Sequence, residues 1–239
     1  MCIRDSVHTG LQKFIEPVWW EVSSRCPSEG RFCRPSLLSW CKRSASQSSR
    51  SRIEIYNTAQ GYRNNSHYLS DTNINGSCSG RIKPRYLGSP GTYWSVSYKC
   101  CGFNTVSEFN SGMSPGTAQA GDISTNCTCT NWGRTCARGV DCSGFVSRCW
   151  GLSTKYGTCT IENVSTKLNS LNDLLYGDIL RKCNVHVVLF HQFFHQSGQE
   201  GVMCWESTQT NNYDRVVYQF RPWTQLSGYE PRRYNNVCP

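Results

Sequence analysis

The sequence predicts an α+β fold for residues 50–239, with helices first and a small antiparallel sheet after them. Two observations support this prediction. Before residue 150, apolar residues recur every three or four positions, as on one face of a helix, whereas short apolar runs after residue 177 are typical of strands. Helical segments followed by a run of strands belong to the α+β class, in which helices lie against an antiparallel sheet.

The first predicted helix covers residues 50–62, where three apolar residues are spaced for one helical face. These residues are Ile55, Ala59 and Tyr62. The next segment, 63–97, is rich in Asn, Ser, Gly and Pro, and residues 98–137 are again loop-like. The sequence therefore predicts two long loop regions before the second helix.

The second predicted helix spans residues 142–149 and begins directly after Asp141, a good N-cap residue. Its apolar face consists of Phe145, Val146, Cys149 and Trp150. The positive end of a helix dipole and the free N–H groups of a first turn favour the reactive thiolate of a cysteine placed there. Cys142 occupies this position, so it is a candidate nucleophile.

Residues 161–176 have nearly helical apolar spacing and end at Gly177, which predicts a third helix. Its apolar positions are Ile161, Val164, Leu168, Leu171 and Leu175. Four short strands are predicted after it, at residues 178–181, 185–194, 202–208 and 213–221. The consecutive apolar residues 187–190 indicate a strand that is buried on both faces.

His186 opens that buried strand, so its ring is expected to lie at a fixed position beside the core. A base held in this way can take the proton of a thiol and later protonate a leaving group. Cys142 and His186 therefore form a candidate nucleophile–base pair.

Three sequence motifs contain this pair and its surroundings. They are Gly-Val-Asp-Cys-Ser-Gly-Phe-Val at 139–146, Gly-Asp-Ile-Leu at 177–180 and His-Val-Val-Leu-Phe at 186–190. Together they resemble the NlpC family of papain-like cysteine peptidases and amidases, over roughly residues 50–225. The resemblance implies a papain-like fold whose nucleophile helix packs on the small antiparallel sheet.

In this family the cysteine of the first motif is the nucleophile and the histidine of the later strand is the base, which implies these roles for Cys142 and His186. A third polar residue on the following strand orients the base, and Glu206 falls at this position, where the family usually has His, Asn or Gln. A carboxylate can accept the ring N–H and stabilise the imidazolium, so the substitution is chemically sensible. Gln192, which is expected to share the strand face of His186, and Gln199 in the predicted hairpin remain alternatives for the orienting role.

The family also has a tyrosine that lines the site, and Tyr98 matches it. Cys100 and Cys101 replace the Trp and the first Gly that follow this tyrosine in the family. The candidate substrate-binding or oxyanion residues are Tyr98, Asp141 and Ser143. The N–H of Cys142 is expected to help bind the oxyanion, as the N–H of the nucleophile does in papain-like enzymes.

His191 and His195 are alternatives to His186 as the base. Both lie an odd number of residues from His186, so in a straight strand they point to the opposite face. The sequence therefore favours His186 and predicts surface or hairpin positions for the other two histidines.

The function that the resemblance implies is a cysteine hydrolase that cleaves peptide bonds of peptidoglycan stem peptides, most often γ-D-glutamyl–diaminopimelate, through a thioester acyl-enzyme. One alternative keeps the fold but is an N-acetylmuramoyl-L-alanine amidase or a thiol acyltransferase. Another is a disulfide-stapled module that binds the cell wall without turnover. No metal or organic cofactor is implied, and the partner is peptidoglycan or another peptide or amide substrate of a monomeric protein.

Sixteen cysteines are too many for a reduced cytosolic hydrolase, so the sequence predicts a disulfide-rich, secreted protein. Setting aside Cys2 and Cys142 leaves fourteen cysteines, enough for seven bridges. A bridge between Cys142 and Cys149 is excluded, because one helix would place them about 10 Å apart at about 1.5 Å per residue. A disulfide needs Cα atoms within about 7 Å of each other.

Three cysteines of the second loop region lie close together in sequence: Cys127, Cys129 and Cys136. They could bind zinc with a fourth ligand such as Cys101. Their spacing is not that of a recognised zinc finger, so disulfides are expected instead.

Residues 1–49 are excluded from the fold prediction, because the first six residues resemble a translated sequencing adapter. The remainder of this segment has no regular period, and we interpret it as an out-of-frame reading, a cysteine-rich arm or a disordered linker. A signal peptide at a native start lost by truncation is compatible with this interpretation. The formal net charge is +9, and more than half of it lies in residues 1–52.

Basic residues and three tryptophans in this first segment raise the alternative of nucleic-acid or wall-polymer binding. The tryptophans are Trp19, Trp20 and Trp40. The doubtful reading frame weighs against this alternative, so no nucleic-acid partner is expected. The longest apolar runs are only four or five residues, so no transmembrane helix is expected either.

Overall fold

The computed structural model describes residues 49–114, 116–127, 129 and 132–238. The α-helices in these residues are α1 (Arg52–Asn64), α2 (Asp71–Asn75), α3 (Val106–Met113) and α4 (Cys142–Cys149). The first six strands are β1 (Arg50–Ser51), β2 (Ser66–Leu69), β3 (Gly91–Trp94), β4 (Gln119–Ala120), β5 (Ala137–Arg138) and β6 (Ser165–Lys167). The later strands are β7 (Ile179–Lys182), β8 (His186–Gln196), β9 (Gln199–Thr208), β10 (Arg215–Pro222), β11 (Glu230–Tyr234) and β12 (Val237–Cys238).

The largest sheet has six strands in the order β10-β9-β8-β7-β11-β6, and each neighbouring pair is antiparallel. Strands β7 to β10 follow one another along the chain, whereas β11 returns to pair between β7 and β6. All four described helices precede this sheet in the chain. The predicted α+β class is therefore confirmed, as a mixture of helices with antiparallel sheet.

Helices α1 and α4 form the core against one face of the sheet. Helix α1 begins with a capping box between Ser51 and Glu54 and buries the predicted apolar face. The Tyr62 ring of α1 packs edge-on against Phe145 of α4, with ring centroids 5.5 Å apart. The predicted apolar face of α4 is also buried, together with Trp150, which follows the helix. Both helices were thus predicted correctly, although α1 begins and ends two residues later than expected.

The opposite face of the sheet is covered by a second apolar cluster. Its members include Leu180, Val188, Phe190 and Val202 from the sheet, and Leu226 from the turn after β10. Because both faces are covered, residues 187–190 are buried at four consecutive positions, as their apolar run predicts.

The helix predicted at residues 161–176 is wrong. Two short 3-10 turns, Thr160–Val164 and Leu171–Asp173, flank β6 in this segment. Strand β6 pairs with β11, and the Leu168 N–H donates to the Pro231 carbonyl oxygen at 2.9 Å. Pairing with a distant strand therefore overrides the local helical spacing.

Both predicted loop regions contain short regular elements, so these two predictions are also wrong in part. Residues 63–97 hold β2, α2 and β3, and residues 98–137 hold α3, β4 and β5. Helices α2 and α3 each begin with a capping box, formed by Ser70 with Asn73 and by Thr105 with Glu108. These local signals were present in the sequence, but the elements are too short to show a periodic pattern.

Four disulfides are formed among the described residues: Cys78–Cys136, Cys100–Cys127, Cys101–Cys129 and Cys159–Cys183. Disulfides therefore occupy the three cysteines for which zinc was the alternative. Cys142, Cys149 and Cys204 are free thiols. Cys149 and Cys204 form no disulfide and lie buried in separate apolar clusters, so they do not contribute to the bridges that the cysteine count allows.

The predictions for residues 1–48, including the basic, tryptophan-containing segment, lie outside the described residues. Within the described part of the chain, no helix is both long enough and apolar enough to span a membrane.

Candidate active site

The first turn of α4 is fixed by the side chain of Asp141. Its Oδ1 accepts hydrogen bonds from the Gly144 N–H at 2.7 Å and from the Ser143 hydroxyl at 3.2 Å. Its Oδ2 lies 2.9 Å from Lys155 Nζ, and the Lys155 side chain is only 5% exposed. This N-cap fixes the backbone on both sides of Cys142, the first residue of the helix.

Gly144 is required because a loop passes directly against this turn. A Cβ atom at Gly144 would collide with the Gly102 carbonyl oxygen, and the same oxygen accepts the Asp141 N–H at 3.2 Å. The glycine of the Asp-Cys-Ser-Gly motif is thus explained by close packing at the start of α4.

Cys142 and His186 line one cleft with a volume of about 340 Å³. Cys142 is a partly exposed free thiol, whereas Cys149 at the other end of the same helix is buried. The Cys142 N–H has no acceptor among the described residues, so it is available to bind an oxyanion.

The His186 ring lies between the thiol and a buried carboxylate. Its Nε2 is 2.6 Å from Glu206 Oε2. The same ring also makes a side-chain hydrogen bond with Cys142. Because Glu206 occupies Nε2, Nδ1 is the ring nitrogen that is left for the thiol. Burial alone would lower the pKa of His186, but the negative charge of Cys142 and the hydrogen bonds with Cys142 and Glu206 raise it to about 10.

Glu206 is 0% exposed and its carboxylate is fully hydrogen-bonded. The Arg221 guanidinium donates from Nε to Oε1 at 2.6 Å and from Nη2 to Oε2 at 2.8 Å. The Gln219 side-chain amide donates to Oε1 at 2.7 Å. Burial alone would raise the pKa of Glu206, but the bonds and positive charges of His186 and Arg221 lower it to about 2. The carboxylate is therefore ionised and faces the imidazole.

Arg221 and Gln219 were missed by sequence reasoning. Both lie on β10, which pairs with β9 so that Val217 is opposite Glu206. The side chains of Val217, Gln219 and Arg221 therefore share the sheet face of Glu206. Polar residues at alternate positions in the predicted strand 213–221 were the signal that could have identified them.

The alternatives to the pair His186–Glu206 lie elsewhere. A bulge in β8 after Phe190 pairs Gln192 with Met203, which transfers Gln192 to the sheet face opposite His186. His191 packs on Trp205, and its Nδ1 is 2.6 Å from the Tyr218 hydroxyl. The interpretation of Gln192 as sharing the face of His186 is thus wrong, because the bulge inserts one residue.

The other two alternatives lie at the end of the hairpin formed by β8 and β9. His195 is exposed and bonds to Glu200 through Nδ1 at 2.7 Å. Gln199 is the first residue of β9 and pairs with Gln196. Neither residue lines the cleft of Cys142.

Of the three candidate substrate-binding residues, only Tyr98 lines the cleft. Burial raises the pKa of Tyr98, and its hydroxyl bonds to the Gln209 side chain, so it remains a neutral hydrogen-bonding group. Asp141 and Ser143 are buried in the helix cap and do not line the cleft. Their side chains therefore fix the first turn of α4 at Cys142 and do not line the cleft.

The cleft is lined mostly by uncharged groups. Its polar side chains include Thr208, Gln209, Thr210 and Gln225. The Arg221 guanidinium also lines it, but its N–H groups are directed to Glu206 and to Gln225 Oε1, at 2.9 Å from Nη1. Such a lining offers hydrogen bonds to the neutral amides of a peptide.

Among the described residues, one group of three side chains has metal-ligand atoms within 4.8 Å of one another: the sulfurs of Cys100, Cys101 and Cys127. All three sulfurs are in disulfides, so none is a free thiolate ligand.

No protein-family model matches the chain, and searches of curated proteins and of solved structures found no significant match. The chemistry of the site therefore has to be inferred from its geometry. A thiol at a helix N-terminus, an imidazole bonded to it and an ionised carboxylate behind the imidazole together suit nucleophilic attack on an acyl carbon.

Proposed function

We propose that the chain is a secreted papain-like cysteine hydrolase of the NlpC type that cleaves amide bonds by acyl transfer. The single observation that carries the proposal is that His186 interacts with both Cys142 and the buried Glu206, at a cleft that Cys142 and His186 line. The four disulfides among the described residues are compatible with an extracellular location.

The first half of the reaction forms an acyl-enzyme. The Cys142 sulfur attacks the amide carbonyl carbon, and the oxygen takes the electron pair of the C=O bond as an oxyanion that the Cys142 N–H can bind. When the carbonyl re-forms, the C–N bond breaks and the His186 Nδ1–H protonates the departing nitrogen. The products of this half are a thioester on Cys142 and a free amine.

The second half uses water. His186, now neutral, takes a proton from a water molecule whose oxygen attacks the thioester carbon. The C–S bond then breaks, the acid product leaves, and the thiolate–imidazolium pair is restored. Glu206 stabilises the imidazolium in both halves and keeps its ring oriented, since the carboxylate is itself held by Arg221.

The substrate class that fits the proposal best is a peptide stem of peptidoglycan, with the γ-D-glutamyl–diaminopimelate bond as the scissile bond. The resemblance of the sequence motifs supports this class, and the amide and hydroxyl side chains of the cleft support a peptide substrate. The free thiol at Cys142 favours an enzyme over a wall-binding module, because such a module has no need for an unpaired, partly exposed cysteine.

The test uses the full chain, refolded under oxidising conditions and incubated with purified peptidoglycan fragments. Mass spectrometry should find products that carry a new carboxyl on D-glutamate and a new amine on diaminopimelate. Cleavage should be lost in Cys142→Ala and retained in Cys149→Ala, which removes a buried thiol of the same helix. Near-ultraviolet circular dichroism checks that both variants are folded.

Other outcomes would change the assignment. Release of the whole stem peptide from muramic acid would indicate the amidase, and transfer of the acyl group to an added amine would indicate the acyltransferase. Equal turnover by Cys142→Ala and the unchanged protein would refute cysteine catalysis.

A further inference from the structure

A second cleft, with a volume of about 360 Å³, lies beside the edge strand β10. Residues from three separate parts of the chain line it. These include Arg63 at the end of α1, Trp94 at the end of β3, and Tyr213, Arg215 and Gln219 in and before β10. None of the lining residues is acidic.

Arg63 and Arg215 differ from the other arginines of the described chain. Each of the others bonds to a carboxylate or to a backbone carbonyl oxygen. Arg63 bonds only to the Asn64 side-chain oxygen at 3.0 Å, and the Arg215 guanidinium lies 4.8 Å over the Tyr86 ring. The two arginines that bond to neither a carboxylate nor a backbone carbonyl oxygen thus line the same cleft.

The acidic residue nearest in sequence to this cleft cannot neutralise it. Asp214 precedes Arg215, but its side chain is 0% exposed. Its carboxylate accepts bonds from Arg85 Nε at 2.9 Å, Nη2 at 2.5 Å and the backbone N–H at 2.6 Å. Two guanidinium groups therefore remain available for an anion from solution, and guanidinium matches the geometry of carboxylate and phosphate.

The aromatic residues of the cleft suit a sugar. The Trp94 side chain is 56% exposed although tryptophan is large and apolar, and Tyr213 is half-buried nearby. An exposed indole face offers an apolar surface on which the C–H face of a sugar ring can pack, while its edge remains in water. A ligand that combines such a ring with a negative charge would use both kinds of group.

Ser95, which lines this cleft, has a strained backbone, and three residues beside the cleft share its left-handed conformation. Ser95 has φ of +77° and Asp214 has φ of +50°, in the left-handed region that favours glycine. The preceding residues Asn211 and Asn212 also have positive φ, at +53° and +60°. Strained conformations of this kind persist where the surrounding structure holds them, and they cluster at ligand sites.

We propose that this second cleft binds an anionic glycan, meaning a sugar chain that carries carboxylate or phosphate groups. Arg63 and Arg215 bind the anionic groups, and Trp94 packs against a sugar ring. Gln219 lines this cleft and also donates to Glu206, so the bound glycan lies one strand from the candidate active site. Binding here does not depend on catalysis, since Cys142 and His186 line the other cleft.

A nucleic acid would also use arginine and tryptophan, but it fits less well. Nucleic-acid sites follow the backbone with a stripe of cations, whereas this cleft has two arginines and its volume suits one or two sugar rings. Binding of an oligonucleotide is therefore an outcome of the test.

The test is calorimetric titration of the full chain carrying Cys142→Ala, which prevents turnover. The probes are tetragalacturonate for carboxylate, glucose 6-phosphate for phosphate, maltotetraose as the neutral sugar, and a short oligothymidylate. We expect binding of at least one anionic sugar, loss of at least about tenfold in affinity in Arg63→Gln and in Arg215→Gln, and weakening by salt. Trp94→Ala should weaken the same binding.

Control variants distinguish binding in the cleft from non-specific attraction of an anion to surface cations. Lys83→Gln removes an exposed cation outside the cleft and should leave affinity within about twofold. Thermal unfolding shows whether each variant is folded, and Arg63→Lys should retain part of the affinity because it retains charge. Any one of four results would overturn the proposal. These are no binding of either anionic sugar, equal binding of maltotetraose, tighter binding of the oligonucleotide, or an affinity that is unchanged in all three cleft variants.

Discussion

The support of Glu206 by Arg221 gives a prediction that needs no substrate. Arg221→Gln keeps a polar side chain at this position but removes the charge and the two bonds of 2.6 Å and 2.8 Å. It leaves a carboxylate that is 0% exposed, with His186, Gln219 and, at 4.0 Å, the Cys204 thiol as its remaining partners. An uncompensated buried charge is costly, so the folded state should lose stability.

The magnitude follows from the pKa of Glu206, which is lowered from 4.5 to about 2. At about 1.4 kcal/mol per pH unit, this difference corresponds to about 3 kcal/mol of stability at neutral pH, to which His186 and Arg221 both contribute, so it is an upper limit for Arg221 alone. Breaking a buried ion pair by removing one partner costs about 3–5 kcal/mol, which is the same size. We therefore expect Arg221→Gln to lower the free energy of unfolding by about 2–3 kcal/mol at neutral pH, since His186 remains as a partner.

The pH dependence has a definite sign. Because the folded-state pKa of Glu206 is lowered, its stabilising contribution is present above about 4.5 and is lost as the pH falls through about 2. In Arg221→Gln, burial raises this pKa, so the carboxylate takes up a proton at a higher pH. The difference in stability between the variant and the unchanged protein should therefore shrink as the pH falls from about 7 to about 4.

Urea unfolding followed by tryptophan fluorescence, with the disulfides intact, measures both quantities. Gln219→Leu is the matched control, because Gln219 donates to the same carboxylate but carries no charge. Its loss should be about 1 kcal/mol and nearly independent of pH. Equal losses in the two variants, or a loss in Arg221→Gln that is constant with pH, would refute the role assigned to the guanidinium.

Three further predictions concern the same site. Alkylation of the native protein followed by peptide mapping should label Cys142 but neither Cys149 nor Cys204, and all three should react after unfolding; native labelling of either buried thiol would contradict the structure. Lys155→Met should leave the N-cap carboxylate of α4 without its ion pair and destabilise the fold by about 2 kcal/mol in urea unfolding, whereas an unchanged midpoint would mean that the ion pair contributes nothing. The His186 ring should titrate near pH 10 by NMR, so that its stabilising contribution is present below about 6.5 and lost as the pH rises through about 10; a midpoint below about 6.5 would contradict the pairing.

Local sequence signals identified the helix of the site and the start of its strand. Asp141 caps α4 through a bond to Gly144 only three residues away, so the signal lies within one motif. Residues 187–190 are apolar at every position because this central strand is covered on both faces. Such a continuous apolar run is visible in the sequence. Their proximity in space was expected only from the family resemblance, because the two motifs are far apart in sequence.

The other parts of the fold and the site depend on long-range strand pairing and sheet register, which could not be predicted from the sequence. Arg221 meets Glu206 only because β10 pairs with β9 in one register, and nothing local fixes that register. The same limit applies to Gln192, since one inserted residue in β8 transfers its side chain to the other face. For residues 161–176, apolar spacing indicated a helix, but pairing of β6 with β11 determined the structure.

The fold also explains how one partly exposed thiol remains unpaired in a chain rich in disulfides. Cys149 lies seven residues along α4 from Cys142, so at about 1.5 Å per residue it is about 10 Å away, too far for a bridge. Cys204 is enclosed in the apolar cluster on the opposite face of the sheet, where burial raises the pKa of its thiol. Both unpaired neighbours are therefore buried, and the N-cap at Asp141 directs Cys142 into the cleft. An oxidising environment can then close the other bridges while Cys142, the proposed nucleophile, stays free.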